Sequence, residues 1–175
     1  DDPSPYVRRS VANHLGDVAK DHPDRAVAVA TGWLRAAPTR EALVRHGLRD
    51  LLKKGHSGAL AMFGVRSGGI VVSDLQVEPG TAAIGDRVFV AADLVATRAG
   101  TARVDIVWAW PGARSGWAKK TFRGLTRQLR AGERWLFRAP LSLRPVTTRP
   151  LRPGPQQVWL RVSGEDFGPA EFVLT

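Results

Sequence analysis

Hydrophobic periodicity changes once along this chain, at Arg66-Ser67-Gly68-Gly69, and that change sets the class of fold. Before it, apolar residues recur at three- and four-residue intervals, the repeat of a helix. After it they alternate, the repeat of a strand. Such a chain folds as an α-helical part followed by an all-β part, here over 1–66 and 70–175. The paired glycines place the boundary between Gly64 and Ile70. The 175 residues suffice for two small domains.

The helical part opens with Ser4 as a predicted N-cap and Pro5 at the first helical position. At 100° per residue, Val7, Val11, His14, Leu15 and Val18 fall on one arc. That face is expected to bury, with His14 packed in it. Asp21-His22-Pro23-Asp24 ends this helix and starts a second over 24–36. Pro38-Thr39 introduces a third over 40–54, closed by the cations Lys53 and Lys54 and a glycine cap at Gly55. Ser57 is expected to cap a short fourth helix ending near Gly64.

The second part reads as seven strands, over 70–78, 87–96, 103–110, 117–123, 134–143, 156–163 and 170–174. Turn signals such as Pro79-Gly80, Pro111-Gly112 and Pro153-Gly154 separate them. Short strands at that spacing predict a β-sandwich. Val158, Leu160 and Val162 point inward, with Trp159 and Arg161 outward. Cysteine is absent, so a disulfide framework and a thiolate metal site are both excluded. The sandwich must hold by apolar packing. Of Trp108, Trp110, Trp117, Trp135 and Trp159, at least two are expected in its core.

The formal charge is +10 and the sequence pI is about 11.3, a balance that favours polyanions. Most of the cations are arginine, which suits bidentate phosphate contacts. No run of 18 apolar residues exists to span a membrane. No charged segment followed by an apolar one opens the chain as a secretory signal would. The expected location is the cytoplasm. Neither His14 nor His46 shares ligand spacing with a carboxylate, so no metal and no cofactor is expected.

The polar side of the first helix gathers Tyr6, Arg9, Asn13, Gly16, Asp17 and Lys20. Residue types alone leave two readings open: a solvated face with i,i+4 pairs, or a site holding a carboxylate, an amide and cations. The third helix offers a stripe of Arg45, His46, Arg49 and Lys53, suited to phosphates and carrying little sequence information. In the sandwich, Arg144, Thr147, Thr148, Arg149 and Arg152 lie on a proline-bordered segment that reads as a loop.

Several stretches carry a resemblance. The run 2–24, DPSPYVRRSVANHLGDVAKDHPD, resembles a signature of the AlkC/AlkD superfamily of bacterial DNA alkylation-repair glycosylases, and the AlkC branch most closely. The runs 44–55, VRHGLRDLLKKG, and 59–64, ALAMFG, match in order after it. The run 145–154, PVTTRPLRPG, resembles part of the C-terminal immunoglobulin-like domain of one AlkC subtype.

The resemblance implies HEAT-like helical repeats followed by an immunoglobulin-like β-sandwich. It implies a monomer that binds double-stranded DNA with alkylated bases and hydrolyses the N-glycosidic bond. Asp17 falls at an acidic position of the motif, and Asn13 where AlkC-like sequences carry asparagine; these are the catalytic candidates. Arg9, Lys20, Arg45, Arg49, Lys53, Arg144, Arg149 and Arg152 are the DNA-binding candidates. Gly16 departs from the pattern, where a larger polar residue is usual, and glycine in mid-helix costs about 1 kcal/mol; a roomier or weakened site is the expected consequence. The remaining acidic and aromatic residues of such a site come from earlier repeats. Two repeats alone leave apolar faces uncovered, so N-terminal HEAT-like repeats are expected beyond this chain. Two other readings remain: a non-catalytic DNA- or protein-binding adaptor, and a sugar-binding sandwich with a row of exposed tryptophans.

Overall fold

Proline opens each of the first three helical segments, where its missing N–H has no intrahelical partner to lose and its fixed φ already suits a helix. Helix α1 spans Pro5–Asp21 and α2 spans Pro23–Ala36; a 3-10 turn at Pro38–Arg40 leads into α3, Glu41–Gly47. Two short helices follow, α4 at Arg49–Lys54 and α5 at Ser57–Ala61. The computed structural model describes residues 2–112, 116–145 and 151–175. They divide into two units, Asp1–Val65 and Arg66–Thr175.

The first unit is helical and packs Leu15, Ala26, Ala30, Val44, Leu48 and Leu60 at its centre. The face that α1 buries is Ala12, Leu15 and Ala19, roughly a quarter turn from the expected arc. Val7 and Val11 remain 37% and 39% exposed, and His14 is exposed rather than packed. The cause is a close helix crossing. A Cβ on Gly47 would stand 2.8 Å from Leu15 Cδ2 and 3.0 Å from the Ala12 carbonyl oxygen. A Cβ on Gly16 would stand 3.1 Å from the Gly47 carbonyl. Alanine and glycine at these positions let two backbones meet, and that contact turns α1 about its axis. Gly16 therefore packs closely against α3, and its small size serves the crossing.

The expected 40–54 helix breaks at Leu48, whose φ of −90° and ψ of 11° leave the helical range. Gly47 is a weak helix former, and Leu48 plugs the core with 0% exposure. Gly55 caps α4 with φ 79°, the left-handed conformation a glycine cap supplies. Ser4 occupies the N-cap of α1 without a side-chain capping bond; its N–H donates to Asp2 Oδ1 at 2.8 Å. At α5 the cap is His56, whose Nδ1 accepts from the Ala59 N–H, and Ser57 is the first helical residue.

The second unit is an Ig-like β-sandwich. Its strands are β1 Ile70–Glu78, β2 Thr81–Ala82, β3 Arg87–Ala96, β4 Gly100–Pro111, β5 Trp117–Leu129, β6 Arg134–Ser142, β7 Gly154–Val162 and β8 Glu165–Leu174. One sheet runs β1-β3-β6 and the other β2-β8-β7-β4-β5. All pairings are antiparallel except the short β2–β8 contact. Trp108, Phe137, Leu160 and Leu174 fill the space between the sheets. The Trp108 indole donates to Gln156 Oε1 at 3.1 Å, so a fully buried tryptophan keeps its hydrogen bond. Val158, Leu160 and Val162 point inward as expected, and Trp159 and Arg161 are only half-buried.

Strand β5 runs well past the expected 123 because its alternation breaks at a bulge. The β4–β5 register shifts between Val104 and Ile106, and Asp105 fills the gap. Its Oδ1 accepts the Gly124 N–H at 3.1 Å and its Oδ2 accepts Arg103 Nε at 2.8 Å. Asp105 is 2% exposed, and a buried carboxylate persists only when paired and hydrogen-bonded in this way. A Cβ on Gly124 would overlap the Val104 carbonyl oxygen. Gly124→Ala is expected to lower the denaturant midpoint of the sandwich by the equivalent of about 1–3 kcal/mol. A midpoint equal to the parent would show that the bulge tolerates a side chain.

Candidate nucleic-acid interface

The α1–α3 crossing brings two polar surfaces together. Arg9, Asn13, Asp17 and Lys20 are spaced four, four and three residues apart on α1, so they line one exposed side. Across the crossing stands His46, whose Nε2 lies 3.1 Å from Asn13 Oδ1. With the proton on Nε2 the imidazole donates and the Asn13 oxygen accepts. Arg49, at the start of α4, donates from Nη1 to the His46 carbonyl at 3.0 Å. That same Nη1 would lie 3.8 Å from a Cβ on Gly16, so Arg49 reaches back over α1.

Asp17 accepts a hydrogen bond from Lys20 Nζ at 2.8 Å. That bond, then the Lys20 charge, hold its pKa below the ordinary carboxylate value, with smaller help from His14 and Arg49. Lys20 is raised in turn, chiefly by the bond to Asp17, and the Asp50 charge adds to this. Asp50 was not among the sequence candidates; it adjoins Arg49, and only the break at Leu48 shows which way α4 faces.

The stripe expected on the third helix divides. His46 and Arg49 turn towards α1. Arg45 is held elsewhere, its Nε 2.6 Å from Glu41 Oε1 and its guanidinium 3.9 Å over the Phe63 ring. Lys53 lies exposed in the last turn of α4. In the sandwich, Arg144 and Arg152 are both exposed. Arg149, with Thr147 and Thr148, lies outside the described residues. Trp108, Trp110 and Trp135 are buried. Trp159 is half-buried beneath Lys119 Nζ, 4.7 Å from its ring centroid. Trp117 is 44% exposed, and among the described residues the other sandwich tryptophans form no exposed row with it. Among the described residues no group of three or more His, Cys, Asp or Glu could hold a metal ion, and no helix is long and apolar enough to cross a membrane.

Residues 71–175 match the family model described as "Uncharacterised protein YhaZ, C-terminal Ig-like domain". The chain belongs to the YhaZ C-terminal Ig-like domain family. The YhaZ protein of Bacillus subtilis strain 168 is 31% identical over 165 residues, 94% of this chain and 46% of that protein. Among solved structures, Pseudomonas fluorescens alkylpurine DNA glycosylase AlkC, bound to DNA containing an abasic site analog, matches 99% of the chain. The TM-score is 0.91 and the identity 34%, over 49% of that protein. The fold is AlkC-like, and the chain spans about half the length of each relative.

The Asp17–Lys20 pair has a measurable signature. A depressed folded-state pKa stabilises the protein above the ordinary carboxylate value, and the contribution disappears as pH falls through the lowered value. Carbon-detected NMR titration should find the Asp17 midpoint below that of an ordinary aspartate, and Lys20→Met should raise it. An Asp17 midpoint unmoved by Lys20→Met would mean that the pair does not form in solution.

Proposed function

We propose that this chain is the C-terminal part of a DNA alkylation-repair glycosylase. The whole enzyme binds duplex DNA and excises N-alkylated bases by hydrolysing the N-glycosidic bond. The likeness to AlkC over 99% of the chain at 34% identity carries the reading. The exposed Arg9–Asn13–Asp17–Lys20 side of α1 supports it with suitable chemistry. On this reading the five helices end a HEAT-like array, the preceding half of the protein supplies further acidic and aromatic residues, and the enzyme acts as a cytoplasmic monomer.

The chemistry asks little of the protein. A purine alkylated at N3 or N7 is cationic, so its glycosidic bond is already weakened and the leaving group needs no strong general acid. What speeds the reaction is negative charge beside the sugar as it becomes an oxocarbenium ion, together with a placed water. Asp17 supplies a carboxylate whose pKa the Lys20 hydrogen bond and charge hold below the ordinary value. Asn13, its oxygen engaged by His46, offers N–H donors one helical turn away. In the free chain Lys20 partly neutralises Asp17. A DNA phosphate competes for that flexible ammonium, and Lys20 turning to it unmasks the carboxylate as substrate binds. Arg49 and Arg9 hold the backbone on either side and read no bases.

The experiment is alkylated-base release from duplex DNA by the full-length protein, together with binding measured over a salt series. Excision is expected. Arg49→Gln should reduce the slope of log K against log salt by about one unit. Binding without base release would favour an adaptor, and a slope unchanged by Arg49→Gln would place α4 away from the DNA.

A further inference from the structure

Paired glycines between two folded units ordinarily make a flexible joint. Gly68 and Gly69 are placed differently. Both have positive φ, 74° and 77°, a region that residues with side chains rarely enter, and both are half-buried. Their cover is Arg98. A Cβ on Gly69 would stand 2.5 Å from Arg98 Nε and 2.8 Å from Arg98 Cγ, so the Arg98 side chain lies along the Gly69 backbone. A Cβ on Gly68 would stand 3.9 Å from Arg98 Nη2 and 4.0 Å from Glu165 Oε1. Glycine at 69 thus serves the close fit of a side chain as well as the backbone conformation.

The carbonyls of Ser67, Gly68 and Gly69 are engaged one after another by the bend that follows β3. Arg98 Nη2 donates to the Ser67 oxygen at 2.7 Å and reaches the Gly68 oxygen at 3.5 Å. The Thr97 N–H donates to the Gly69 oxygen at 2.9 Å. The next residue, Ile70, opens the β1–β3 ladder opposite Ala96. Arg98 therefore prolongs that ladder with a side chain beyond the point where backbone pairing ends. On the other side the chain is fastened as far as Val65. That residue is 5% exposed in the helical core, and its N–H donates to the Leu60 carbonyl at 3.1 Å.

We propose that Arg98 is a clasp that makes Ser67–Gly69 part of the sandwich, so that movement between the two units turns on Arg66 and the paired glycines are not the hinge. A shorter joint has a consequence for binding. The effective concentration at which one unit meets a surface already held by the other falls as roughly the −3/2 power of the length of a flexible link. Fastening residues 67–69 therefore favours engagement of both units with one partner. The inference holds whatever that partner is and does not depend on base excision.

Backbone 15N relaxation on the 175-residue chain tests the clasp directly. Gly68 and Gly69 should show order parameters of about 0.85, those of a strand, and in Arg98→Ala both should fall below about 0.6 while Val72 and Val90 keep theirs. Arg98→Met keeps the stem over Gly69 and removes only the donors. It should loosen Ser67 and Gly68 as well, and it guards against a misfolded Arg98→Ala. Tryptic cleavage between Arg66 and Ser67 should be at least about tenfold faster in either variant, as expected for release of a protected segment. Glycines already below about 0.6 in the parent would overturn the proposal. So would glycines as rigid in both folded variants as in the parent, or cleavage at the parental rate.

Discussion

The approach of α1 to α3 at Gly16 and Gly47 is the contact on which the helical unit depends. With side chains there the helices would separate, since Gly47 lies against Leu15 and the Ala12 carbonyl. Because they meet, α1 turns until Ala12, Leu15 and Ala19 bury. The same turn sets Asn13 within hydrogen-bond reach of His46 and brings Arg49 over Gly16. It also leaves Val7 and Val11 more than a third exposed. The arrangement of the candidate site thus follows from one packing contact, made by residues with no side chain to offer chemistry.

The sandwich follows a different rule. Without disulfides, its stability comes from interleaved aromatics and from buried polar groups that are all engaged. Trp108 bonds Gln156, whose amide in turn donates to the carbonyls of Arg152 and Gly154. Those last contacts tie the core to the start of β7, just beyond the basic segment that includes Arg144 and Arg152. Asp105 does the same for the β4–β5 bulge. A buried polar group left unpaired costs more than a paired one contributes, so these bonds fix strand register as much as they stabilise.

Much of this was legible in the sequence. Period-two alternation identified Val158, Leu160 and Val162 as core, and Pro5 and Gly55 marked helix ends, because each signal is local. The rotation of α1 was not legible, since a hydropathy pattern ranks Val7 and Val11 above Ala12 and Ala19 and ignores how closely a partner backbone approaches. The break at Leu48 escaped because Gly47 is tolerated within a helix and only tertiary packing decides otherwise. The tail of β5 was lost because a bulge resets alternation after Gly124. Arg45 shares a spacing with Arg49, yet Glu41 and Phe63, four residues before it and eighteen after, decide where its charge goes.

On the proposed glycosylase reading, Asp17, on an exposed helix face beside a histidine-held Asn13, is the group asked to favour release of a cationic base. Single-turnover excision of an alkylated purine by full-length protein carrying Asp17→Asn, with duplex binding and thermal melting measured in parallel, tests that role most directly. The substitution keeps size and polarity and removes the charge. Excision about 10²-fold slower, with affinity and melting temperature close to the parent, is the predicted result. Excision at the parental rate would contradict it and remove Asp17 from the site.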